Sequence, residues 1–145
     1  MEAKVYGGAL DPTQFSTVLD SFALANTNTD LGKLASVKQQ IFQYQENNTN
    51  DPTLLQSIHQ FNNSVGGSEV FIQNEKTYNS ILMNTVLSGV YELNSTQIHD
   101  LYAIANQCDL LGGTAVHSAR GLYNMLVDNS IDFDLAMCSC RKQIQ

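Results

Sequence analysis

Between residues 11 and 126 apolar side chains recur at helical intervals, and no stretch keeps the strict alternation of a half-buried strand for more than a few residues. Start and stop signals punctuate the pattern. Asp11-Pro12 and Asp51-Pro52 each place a side-chain acceptor at an N-cap and a proline at the first helical position, where its missing N–H costs nothing. After the first signal, Phe15, Val18, Leu19 and Phe22 form a stripe that ends near Asn26-Thr-Asn-Thr29. Asp30 is expected to cap the next helix, with Leu34, Val37, Ile41 and Phe42 inward and Lys33, Lys38, Gln39, Gln43 and Glu46 outward. Asn47 to Asn50 closes it. The second signal opens a helix whose apolar set is Leu54, Leu55, Ile58, Phe61 and Val65, up to Gly66-Gly67.

Ser68 begins what reads as the longest periodic segment, with Phe71, Glu75, Tyr78, Leu82, Thr85 and Val86 along one side and Ile81 and Val90 widening the face. It should pack centrally. Asn94 followed three residues later by Gln97 has the form of a capping box, leading into Ile98, Leu101, Tyr102 and Ala105. Gly112-Gly113 then turns the chain back antiparallel into Val116, Ala119, Leu122 or Tyr123, and Leu126, with Asp128-Asn-Ser130 as the stop. A last short helix carrying Cys138 is expected within residues 131–145. The fold class is all-α, a compact bundle of six or seven short antiparallel helices. Residues 1–10, with Gly7-Gly8 and no sustained period, read as an arm, and residues 11–145 as a single helical domain.

At 145 residues the chain can bury about 68–70% of the surface its unfolded form exposes. No metal is needed to complete a core of that size. Net charge is −7, with only 14% charged residues. A polyphosphate would meet repulsion where nucleic-acid binders offer a basic stripe, so no nucleic-acid partner is expected. Apolar runs such as Val70-Phe-Ile72 are far shorter than the roughly 18 residues of a membrane span, and no charged start leads into a signal core. An exported form of this sequence would be a mature fragment.

Catalytic chemistry has little to work with. His59, His99 and His117 have no acid or nucleophile at a diagnostic spacing, and the adjacent pairs His99-Asp100 and His117-Ser118 point to different helix faces. Cys108, Cys138 and Cys140 with His99 or His117 could be written as a zinc set, but structural zinc uses wider cysteine pairs on turns than Cys-Ser-Cys. Asp128, Asp132 and Asp134 are too loosely spaced for a calcium loop. Gly112 and Gly113 lack the strand and lysine of a phosphate loop. Asn47, Asn62 and Asn94 match the glycosylation pattern as an Asn- and Thr-rich chain does by chance. Arg120 lies in an apolar stretch, where its guanidinium is expected to satisfy helix-end carbonyls or a carboxylate such as Asp132 or Asp134. No catalytic, cofactor-binding or metal residue is assigned, and no cofactor is expected.

Three cysteines leave one over if a disulfide forms within the chain. Residues two apart on a helix point about 200° apart, so only one of Cys138 and Cys140 can face Cys108 if the tail is helical. Such a bridge would stabilise the fold by roughly 3–4 kcal/mol in the chain-entropy model.

The run Leu101-Tyr-Ala-Ile-Ala-Asn-Gln-Cys108, Gly112-Gly113, Ala115-Val116, Ala119-Arg120 and Asp132-Phe-Asp-Leu-Ala-Met-Cys138 resembles a segment of large secreted surface proteins of Bacteroidetes. There a similar pattern lies shortly before the C-terminal type IX secretion sorting domain. The resemblance covers roughly the last third of the chain. Asp109 stands where proline is common in that pattern and His117 where an aromatic is common. The resemblance implies that Cys108 pairs with Cys138, that Cys140 is the extra cysteine, and that the protein is extracellular or at the cell surface. The expected function is a non-catalytic spacer or protein-interaction module whose partners are other domains of the same polypeptide or a surface or secretion protein. An intracellular or phage-type helical adaptor is the alternative, and a small histidine-dependent enzyme a third.

Overall fold

The computed structural model describes residues 25–133. Among them the chain forms α1 (Asp30–Glu46), α2 (Pro52–Ser64), α3 (Val70–Asn84), a 3-10 turn (Val86–Ser88), α4 (Ser95–Ala105), the one-turn α5 (Asp109–Gly112) and α6 (Ala115–Leu126), with no strand. The all-α class is therefore observed. The arm at residues 1–10, the helix expected after Asp11-Pro12 and the tail helix with Cys138 fall outside the described residues.

The local signals act as their chemistry requires. Asp51 Oδ1 accepts from the Thr53 and Leu54 amides with Pro52 in the first turn, and Asn94 and Gln97 close a reciprocal capping box at 2.9 Å on both bonds. At α1 the cap is Thr29, whose hydroxyl accepts from Gly32 N; Asp30 is instead the first helical residue and accepts from Gly66 N at 2.9 Å. That bond ties the start of α1 to the end of α2.

Among the described residues α3 is the centre, in contact with each of the other helices. Three apolar clusters meet along it. Ile81 joins Leu101, Ile104, Ala105, Ala115, Val116, Ala119 and Leu122 between α4 and α6, while Met83 joins Val37, Ile41, Tyr44, Leu55 and Ile58 between α1 and α2. Ile72 closes a smaller group with Leu34 and Val65. The helix is not the longest, since α1 has 17 residues against its 15. It stops at Thr85, whose hydroxyl donates back to Ile81 O at 2.6 Å and whose backbone leaves the helical region, so Val86 enters the 3-10 turn and Val90 is exposed.

Several inward assignments are corrected. Phe42 and Leu54 are exposed, and Tyr44 takes the inner position expected of Phe42. The spacing Leu34, Val37, Ile41, Tyr44 is a narrow 3-4-3 seam, and Phe42 lies about 100° off Ile41 on the turn. Tyr102 is half exposed, its ring leaning on Tyr123 (centroids 5.4 Å apart) and Phe133 (6.2 Å). Between α4 and α6 the chain makes the one-turn α5 before reaching the second glycine, so the hairpin connection is longer than a Gly-Gly turn alone.

Candidate functional site: the clasp between α4 and α6

The connection from Ala105 to Thr114 is held from two sides by buried polar side chains. From α6, Arg120 donates through Nε to Ala105 O at 2.8 Å and through Nη2 to Gln107 O at 3.1 Å. Those carbonyls stand at and just beyond the C-terminus of α4, where a helix leaves acceptors without intrahelical donors and favours a cation. From α3, Asn74 and Gln107 exchange carboxamide bonds at 2.6 and 3.2 Å, and Asn74 Nδ2 also donates to Gly112 O at 2.9 Å. Asn74 and Arg120 are both buried.

The two glycines have different reasons. At Gly112 a Cβ would stand 2.5 Å from Val116 Cγ2 and 2.8 Å from Gln107 Oε1, so the close approach of α5 to α6 excludes a side chain. Gly113 has φ 77° and ψ −168°, a backbone region open essentially to glycine alone. Cys108 is the N-cap of α5. Cys138, expected to pair with it, and Cys140 lie outside the described residues.

A second polar group adjoins the clasp. Glu75, buried on α3, accepts from Lys38 Nζ of α1 at 2.8 Å and from Thr114 Oγ1, which also accepts from Lys38 at 3.0 Å. Burial raises the Tyr78 phenol above its ordinary pKa of 10.0, the Glu75 charge adds to this, and a bond with Ser118 opposes it. The folded state thus favours the neutral phenol. Its contribution is complete below the unfolded pKa and is lost as pH rises through the higher folded value. Stability measured by urea midpoint should therefore fall as pH climbs above about 10, and Tyr78→Phe should flatten that decline; an equal slope in both proteins counts against it.

The histidines are separated. His59 Nε2 lies 2.9 Å from Ser80 Oγ beside an open cleft of about 200 Å³ lined by Pro52, Leu55, Gln56, Met83 and Asn84. Its hydrogen-bond partners are that hydroxyl and the carboxamides of Asn63 and Asn84, with no carboxylate among them. A serine nucleophile is usually activated by an imidazole oriented by an acid. His117 Nε2 meets Asp109 Oδ2 at 3.2 Å across the α5–α6 junction, a pairing eight residues apart that adjacent-residue reasoning misses. His99 is exposed on α4. Among the described residues no group of three His, Cys, Asp or Glu side chains is placed to hold a metal ion. No helix there is long and apolar enough to cross a membrane.

Of the residues singled out in the sequence, Gly112, Gly113 and Arg120 come together with Cys108 at one connection, while Asn74 and Gln107 are members the sequence did not disclose. The chain matches no family model, curated protein or solved structure with which it was compared.

Proposed function

We propose that the protein is a non-catalytic helical module of a secreted or cell-surface bacterial protein, working as a spacer or interaction unit near the anchoring end. The observation that carries this reading is the use made of the polar groups at the most distinctive part of the chain. Arg120, Asn74 and Gln107 all bond backbone carbonyls or one another in a closed set, so these side chains are used to fix the shape of the connection. The resemblance to Bacteroidetes surface proteins supplies the compartment, and a disulfide at Cys108 would fit it, because such bonds persist in oxidising surroundings. Pairing with Cys138 is part of the proposal.

Two measurements test it. Non-reducing peptide mapping of protein collected from its native host should recover Cys108 joined to Cys138; a free Cys108 overturns the compartment and the pairing. A photo-crosslinking residue placed at Leu110, which is 73% exposed on α5, should in the same host form a discrete protein adduct that the same residue at Gln56 does not. Equal labelling at both positions, or none at either, overturns the interaction role.

A further inference from the structure

The cleft beside His59 lies between the first turns of α2 and the end of α3 with its 3-10 turn. Leu55 and Met83, both buried, give it an apolar floor. Its exposed lining groups are polar: Gln56, Asn84 and Ser88, with no Lys, Arg, Asp or Glu among the side chains that line it. At about 200 Å³ it is smaller than the roughly 300–1,000 Å³ of drug-sized ligand sites, which limits an occupant to on the order of a dozen non-hydrogen atoms.

Each polar lining group keeps hydrogen-bonding capacity. Ser88 Oγ donates to Met83 O at 2.6 Å, and its lone pairs remain to accept. Asn84 Nδ2 lies 3.4 Å from His59 Nε2, which also meets Ser80 Oγ at 2.9 Å, so the imidazole steadies the carboxamide and leaves Oδ1 and one N–H open. No described residue bonds the carboxamide of Gln56.

These groups select a class of ligand. An ion on the apolar floor would give up water with no lysine, arginine or carboxylate to meet it, and the one imidazole is turned to Ser80. A wholly apolar molecule would cover the carboxamides and leave them unpaired. A sugar ring meets both demands: its C–H face suits the floor, and each hydroxyl both donates and accepts, as a carboxamide does through its two ends.

We propose that the cleft binds one neutral hexose ring, with hydroxyls on Gln56, Asn84 and Ser88 and carbon atoms against Leu55. The site stands apart from the clasp, and its failure would leave the spacer reading untouched.

Saturation-transfer NMR on the full chain with glucose, galactose and mannose provides the test, beside glucuronate as a charged ring, cyclohexanol as a ring with one hydroxyl, and N-methylacetamide as an amide. At least one hexose should bind, about tenfold or more tightly than any of these three, and about tenfold or more weakly to Gln56→Ala/Asn84→Ala, which lacks two polar contacts. Gln43→Ala, in the smaller cleft on the other flank of α2, should bind as the native chain does. Both carboxamides of the double variant are exposed, circular dichroism checks its fold, and each single variant should show part of the loss. Equal binding of the methyl glycoside would trace the ring to a glycan end, and binding of the free sugar alone to a soluble monosaccharide; either supports the site. No hexose signal, or undiminished binding by the folded double variant, overturns the proposal. So does a loss in Gln43→Ala as large as in the double variant, or glucuronate, cyclohexanol or the amide binding as tightly as the best hexose.

Discussion

Arg120→Met is expected to lower stability by about 3 kcal/mol, since it removes two charge-assisted bonds and leaves the acceptors at Ala105 and Gln107 without their donors. For a chain of this size that corresponds to a fall in melting temperature of roughly 10 °C. Methionine keeps much of the apolar stem, so the loss reports on the polar contacts more than on packing. Arg120→Lys should recover less than half of it, because one ammonium replaces donors set in a planar fork between two carbonyls. Hydrogen exchange should locate the damage, with protection lost first across residues 105–113. A melting temperature within about 2 °C of the native value for the methionine variant would mean that the carbonyls find other donors. Full stability in the lysine variant would show that the fork geometry is immaterial.

The helix ends were the most legible part of this chain, because caps are local chemistry. Asp51 with Pro52, and Asn94 with Gln97, carry in a few adjacent residues both the acceptor and the groups it must satisfy. The apolar stripes were legible to within one position. Periodicity places Ile41 and Phe42 on neighbouring directions and leaves the choice to tertiary packing, which put Tyr44 inside and Phe42 in water. Leu54 and Leu55 pose the same choice at the start of α2, where the second is buried and the first exposed.

What hydropathy could not show is the polar seam of α3. Asn79 donates to Asn62 Oδ1, Asn62 donates to Lys76 O, Lys76 donates to Val65 O, and Ser80 meets His59, so a row of polar contacts joins α2 to α3 beside their apolar ones. Asn62, Asn74 and Asn79 are buried, yet each reads in isolation as a solvated helix position. Their partners lie 14 to 38 residues away, and only the assembled fold brings them into reach. The same separation hid Asn74 from the clasp, although Arg120 and both glycines were visible in the sequence. Buried carboxamides of this kind fix register, because sliding α3 against a neighbour by one residue would leave donors and acceptors unmet in a dry interface.

Gly113→Ala is the second large effect and isolates the backbone from the side chains. At φ 77° and ψ −168° an L-residue is strained by about 1–3 kcal/mol, and its Cβ would also stand 2.9 Å from Phe71 Cβ. That second contact is with an atom every residue but glycine possesses, so trimming Phe71 to alanine cannot relieve it. The expected result is a urea midpoint lowered by about 2–4 kcal/mol of stability, with no rescue in the double variant Gly113→Ala/Phe71→Ala. Gly121→Ala provides the contrast. Gly121 lies mid-helix in α6, is exposed, and its added Cβ would meet no heavy atom within 4 Å, so alanine should stabilise by about 0.5–1 kcal/mol. A Gly113→Ala variant within about 0.5 kcal/mol of the native chain would mean that the α5–α6 junction can adopt another path. The clasp would then be a preference of the connection and not its constraint.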